Sequence, residues 1–222
     1  MSFRVIRSLR ASHALTKTTQ PFMRFAENAH QRIAVLGDST MYGAGIVDPA
    51  NTVGGLLAAQ FPEASIETLA TNGAKIRDMR AQLQQGRHAH YMLLIAGVGG
   101  NDIVRFTSRA AIRRNLTEFL DEASHRTQKI VLCHCVNVGN TGFFIFPLNY
   151  LFDYRSRQLS KIYAEVSAQF PKVQYVNFYR PMHDDHYTKD TRKHFIAGDA
   201  FHPSDYANRH FFGLLLGAIR KP

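Results

Sequence analysis

Five short apolar runs, at residues 33–36, 65–70, 91–96, 129–135 and 173–177, alternate with longer amphipathic stretches at 52–60, 77–85, 109–126, 155–170 and 204–219. This alternation constrains the chain more than anything else in it. Short apolar runs separated by helix-length connections are the signature of parallel strands joined by crossover helices. The sequence therefore predicts an α/β protein, a three-layer α/β/α sandwich on a five-stranded parallel sheet. At 222 residues, 45% of them hydrophobic, the chain can bury one sizeable core but is short for two domains. In such a sheet a ligand site lies beyond the carboxyl ends of the strands, so the residues that follow each strand carry the chemical information.

After the first run comes Gly37-Asp38-Ser39-Thr40, then Met41-Tyr42-Gly43-Ala44-Gly45. A buried strand thus delivers a serine to a turn, where its hydroxyl can be exposed while backbone N–H groups point at whatever it attacks. The plainer reading of an isolated Asp-Ser pair is a helix cap. Thr71-Asn72-Gly73-Ala74 follows the second run and Gly97-Val98-Gly99-Gly100-Asn101-Asp102 the third; Asp199-Ala200-Phe201-His202-Pro203-Ser204 stands near the C-terminus. Each block alone is ordinary, since Asn-Gly and Gly-Gly are common turn formers.

The four blocks, in this order after the expected strands, resemble the SGNH (GDSL-type) hydrolase family, and the resemblance runs from about residue 33 to the end. It implies the flavodoxin-like fold of that family and a serine hydrolase acting on ester bonds. It implies Ser39 as nucleophile, Asp199 and His202 as its partners, and Ser39, Gly73 and Asn101 as the oxyanion hole. Thr40 replaces the leucine of the family name. Block two is less regular, because Gly73 directly follows Asn72.

The chemistry can also be argued from the residues. A serine hydroxyl needs a base to take its proton, and an imidazole titrating near neutrality is the usual one. His202 is the candidate, and Asp199, one turn earlier, can pin its other nitrogen. Ester attack creates an oxyanion, for which each fixed donor is worth about 3 kcal/mol of barrier. No Gly-x-Ser-x-Gly occurs, and the glycines at 97–100 lack the last glycine of a dinucleotide fingerprint. No cofactor and no metal are expected. The expected activity is serine esterase or lipase-like acyl hydrolysis of a small-molecule ester or lipid. The alternatives are a carbohydrate O-acetyl esterase or acyltransferase on the same residues, and a non-catalytic membrane-associated binding module.

Residues 142–152, Gly-Phe-Phe-Ile-Phe-Pro-Leu-Asn-Tyr-Leu-Phe, begin shortly after the fourth run. They are expected at the catalytic end, where Phe143, Phe144 and Phe146 either bind an acyl chain or pack as a satellite core. Cys133 and Cys135 share one apolar run; alternation places them on one strand face, poorly set for a mutual disulfide, which points to a reducing compartment or to a chain that needs no disulfides. With His134 between them they have no second ligand pair at a zinc-like spacing. His134, His183, His186, His194 and His210 read as surface or structural.

The formal charge of +10 invites a nucleic-acid partner, but the basic residues are scattered and the aromatics gather away from them. No nucleic acid is expected. Residues 1–30 form a basic N-terminal arm ahead of a catalytic domain at 31–222: Arg4, Arg7, Arg10, Lys17 and Arg24 precede the first acid, Glu27. The arm reads as a peripheral membrane contact or a strap across the domain, and its composition also resembles an organelle transit peptide. It contains no secretory core and the chain no membrane span, so a cytoplasmic, membrane-associated location is the expectation. The oligomeric state is left open.

Overall fold

The computed structural model describes residues 20–26, 29–182, 196–197, 199 and 201–221. Most of the N-terminal arm, and His183, His186 and His194, lie outside the described residues. Five parallel strands, β1 (Arg32–Gly37), β2 (Ser65–Thr68), β3 (Tyr91–Gly97), β4 (Thr127–Cys133) and β5 (Val173–Val176), form one sheet in the order β2-β1-β3-β4-β5. The helices are α1 (Ser39–Tyr42), α2 (Val53–Gln60), α3 (Met79–Gln84), α4 (Gly100–Val104), α5 (Arg109–Arg126), α6 (Leu148–Ser167) and α7 (Asp205–Arg220). The expected sandwich is what forms.

Strand alternation divides the core into two layers. Leu36, Leu94, Ala96, Ile130 and Leu132 face α3, α5 and α6, meeting Met79, Leu116, Phe119 and Tyr163. Ile33, Val35, Ile95, Val131 and Cys133 face α2 and α7, meeting Leu57, Phe212 and Leu215. Helix starts follow polar caps: Thr52, Ser108 and Ser204 accept the N–H groups of Gly55, Ala111 and Ala207. Cys133 and Cys135 do not share a face. The strand ends at Cys133, so alternation stops there; Cys133 joins the α2/α7 layer and Cys135 packs against the other, both as free thiols.

Winding reverses at β1. The chain leaves β1 through α2 to β2 at one edge, then passes back over β1 through α3 to β3. A crevice opens where the connections diverge, between the carboxyl ends of β1 and β3. There the two strand ends pack closer than side chains would permit: Gly37 has φ 146°, and a Cβ on it would sit 1.9 Å from the Gly97 carbonyl oxygen.

At the β2 edge the end of the arm is strapped to the domain. Arg24 bridges Ile66 antiparallel, and its guanidinium donates to the carbonyls of Ala58, Phe61 and Ala64. This cation caps the end of α2 rather than facing outward.

Candidate active site

Ser39 stands immediately beyond β1 as the first residue of α1. Asp38 is the helix cap, its Oδ1 accepting the Thr40 N–H at 3.0 Å, which leaves the Ser39 N–H outside the intrahelical ladder. The strand end is held from below by Gln82 of α3. Its Oε1 accepts the Gly37 N–H (2.9 Å), and its Nε2 donates to the Gly37 carbonyl (2.8 Å) and to Thr71 Oγ1 (2.9 Å). A buried primary amide here takes the place of a neighbouring strand. Nothing in the one-dimensional pattern distinguished Gln82 from any other helical glutamine.

The structure brings Ser39 to His202, 163 residues further along the chain, and to Asp199, three residues before His202. His202 Nε2 is 2.8 Å from Ser39 Oγ, and His202 Nδ1 is 2.5 Å from Asp199 Oδ2. The other carboxylate oxygen, Oδ1, accepts the N–H groups of Phe201 and His202, each at 2.9 Å. All three side chains are buried. Burial alone would raise the Asp199 pKa, but the hydrogen bond and charge of His202 and the two backbone donors outweigh it, so the carboxyl is held below its ordinary range. A carboxylate accepting from Nδ1–H leaves Nε2 as the lone-pair nitrogen, placed to accept the serine proton. Gly45 turns the backbone beneath His202 at φ 89°, where a Cβ would press on His202 Cβ at 3.0 Å and on the Pro203 carbonyl.

Two further carboxylates lie beneath the site. Burial pushes Asp38 up to about 6 against the opposing influence of the Thr40 N–H, with Asp102 adding to the rise. Asp102 is raised as well, chiefly by burial; its Oδ2 accepts the Ile76 N–H at 2.9 Å. Asn101 donates through Nδ2 to the Ala74 carbonyl at 3.1 Å, so the blocks after β2 and β3 are joined twice. Its amide has a second N–H to offer. Gly73 occupies the turn between them at φ 79°. Ser39 and Asn101 line the cleft; Gly73 does not, and the space over its Cα faces the Arg105 guanidinium.

The cleft is apolar apart from these groups. Beside Ser39 it is walled by Cys135, Val136, Val138 and Thr141 from the chain after β4, by Phe178 after β5, and by Ile196 and Phe201. Sequence reasoning named none of these, and the only signal was their position after a strand. Phe143, Phe144 and Phe146, expected either to bind an acyl chain or to pack as a satellite core, are not among the residues that line this cleft. Phe144 packs on Phe152 with ring centroids 4.3 Å apart, Phe143 lies behind Phe201 at 5.5 Å, and Phe146 is 76% exposed. The segment leads into α6, which begins at Leu148, earlier than the pattern suggested. His134 is buried, held between the Cys135 carbonyl and Asn177, and burial lowers it to about 4.

An open parallel sheet with a serine and imidazole at its switch point defines a broad class of α/β proteins. Within it, the GDSL-like lipase/acylhydrolase family model matches residues 35–210, and the chain belongs to that family of ester-cleaving enzymes. No curated protein sequence matches it. Among solved structures it is similar to a lipolytic G-D-S-L protein from Veillonella parvula, at 14% identity and TM-score 0.63 over 86% of this chain and all of that one. It is also similar to the acetylxylan esterase Axe2 of Geobacillus stearothermophilus, at 19% identity and TM-score 0.62 over 87% and 96% of the two chains. A salicylyl-acyltransferase from a tetracycline biosynthetic pathway shares the fold at 16% identity and TM-score 0.59, over 88% of this chain and 54% of that one. At these identities the likeness is one of fold.

Proposed function

We propose that the protein is a serine esterase or lipase-like acyl hydrolase that cleaves carboxylic esters through an acyl-enzyme intermediate. The observation that carries the reading is the hydrogen-bonded series from Ser39 Oγ to His202 Nε2 and from His202 Nδ1 to Asp199. His202 takes the hydroxyl proton as Ser39 Oγ attacks the ester carbonyl. Asp199 holds the imidazole in the required tautomer and offsets its positive charge. The Ser39 N–H and the second N–H of Asn101 stabilise the oxyanion, while Gly73, outside the cleft lining, shapes the turn whose Ala74 carbonyl orients the Asn101 amide. Collapse breaks the C–O bond to the alcohol, which leaves with the proton from His202. Water, deprotonated by the same imidazole, then releases the acid and restores Ser39.

Apolar walls beside Ser39 suit an acyl group with hydrocarbon character better than a bare acetate, and this favours an esterase or lipase over an O-acetyl esterase. Labelling with a fluorophosphonate followed by peptide mapping tests the mechanism. The adduct is expected on Ser39, and Ser39→Ala should lower kcat/KM for an aryl ester by about 10⁴-fold or more with the fold unchanged. Turnover near wild type in that variant would overturn the reading.

A further inference from the structure

Residues 135–152 contain no Asp, Glu, Lys or Arg, in a chain of which 20% is charged. Part of this stretch is core, with Val138 and Phe152 buried and Phe144 packed between. From Ile145 onward, other side chains turn outward. Ile145, Phe146, Leu148, Tyr150 and Leu151 are all exposed, Ile145 at 60%. Phe106 joins them from the end of α4: it is 56% exposed, with its ring 5.9 Å from Phe152 and under the Arg155 guanidinium at 4.9 Å. It holds φ 55° as the left-handed residue that closes α4, where the Thr107 N–H returns to the Asp102 carbonyl.

Cations border the patch. Arg105 and Arg109 are exposed, and among the described residues neither has a carboxylate within ion-pair distance. Asp153, the nearest acid in sequence, is engaged by Asn137 and Tyr179. A ladder of rings runs inward from the patch: Phe152 to Phe144 at 4.3 Å, Phe144 to Phe143 at 4.8 Å, Phe143 to Phe201 at 5.5 Å, and Phe201 to His202 at 5.4 Å.

We propose that this face seats the protein on an anionic lipid surface, so that lipid esters reach Ser39 along the ring ladder. The second clause rests on the function proposed above, while the first stands without it. Aromatic and aliphatic side chains flanked by unpaired arginines have the composition of an interfacial membrane contact, and the net charge of +10 complements anionic headgroups. The patch adjoins the cleft. A protein seated there would cover the entrance, whereas a bilayer supplies substrate to it.

Binding is measured with full-length Ser39→Ala protein, so no turnover enters the readout. The probes are vesicles of equal parts phosphatidylcholine and phosphatidylglycerol, and vesicles of phosphatidylcholine alone. Partition is expected onto the anionic vesicles, weakening in high salt and on the neutral ones. Phe146→Ser and Leu151→Ser should each reduce it about tenfold, and Arg105→Gln about fivefold. Leu214→Ser, an equally exposed site on the α7 layer, should leave it unchanged. Wild-type partition by both Phe146→Ser and Leu151→Ser would overturn the proposal, because attachment would then lie elsewhere, for instance in residues 1–19. Sedimentation velocity showing a dimer that Phe146→Ser dissociates would also overturn it and give the face to a second copy of the chain. Failure of the serine mechanism would leave the vesicle result standing.

Discussion

The two sides of the cleft are built by different means. On the β1/β3 side every group is tied by hydrogen bonds: Gly37 to Gln82, Asn101 to the Ala74 carbonyl, Asp102 to the Ile76 N–H, Asp38 to Thr40. On the β4/β5 side the side chains that face the cleft are mostly aliphatic and aromatic and the rings behind them meet edge-on, while the polar ties of Asn137, Val138 and Thr141 hold the loop itself. Hydrogen bonds fix atoms to fractions of an ångström in direction as well as distance, as proton transfer and oxyanion binding require. Apolar packing fixes volume and leaves orientation loose, which suits a surface that receives hydrocarbon. On the proposed mechanism the polar side would govern rate, and the apolar side which ester is accepted.

Four substitutions would break or sharpen this division. The largest effect is expected from Asn101→Ala, which should lower kcat by about 10²- to 10³-fold with little change in KM, since an oxyanion donor acts mainly in the transition state. Steady-state kinetics with a soluble aryl ester would check it; an effect confined to KM would move Asn101 to the substrate-fitting side. Next is Asp38→Asn, which keeps an acceptor for Thr40. The folded carboxyl titrates near 6 and its ordinary value is 3.8, so the folded state binds the proton more tightly and stability falls as pH rises from about 4 to 6. The Asn variant should thus be more stable than wild type by roughly 3 kcal/mol at pH 8, and by little at pH 4. Urea titrations at the two pH values measure this, and parallel curves would show that Asp38 ionises without cost.

The smallest effect is expected from Phe201→Ala on the apolar wall. It should shift the ratio of kcat/KM for long- against short-chain p-nitrophenyl esters by about tenfold toward long chains, with the short-chain kcat nearly kept. A uniform fall across the series would show that Phe201 supports His202 instead. Phe144→Ala, by contrast, removes a ring packed on Phe152 and should lower the Tm while leaving the chain-length profile intact.

The same division explains what could be read in the sequence. Strands declare themselves through short apolar runs, and α5 was predicted at its observed bounds because Ser108 caps its start and charged residues mark its outer face. Ser39 and Asn101 stood out because polar blocks directly follow apolar runs, and Asp199 and His202 because their block completes the ordered set that resembles the family. The start of α6 was missed by seven residues: Pro147 occupies the cap position without a side-chain acceptor, and the uncharged turn that follows has no polar face to reveal helical periodicity. The cleft wall was missed for a related reason. Whether Thr141 or Phe143 meets the serine depends on the path of a loop, which tertiary packing decides and local pattern does not.

Gln82 carries a consequence for how this fold can change. Because the amide of a helical residue, rather than β2 alone, completes the hydrogen bonding of Gly37, the placement of Ser39 is referred to the layer of α3 and α5. The chain beyond the edge strand is tied to the same point, since the Thr71 N–H donates to the Gly37 carbonyl and Gln82 also holds Thr71 Oγ1. One helical amide therefore sets the serine turn and the start of the second block together, and its loss would loosen both at once.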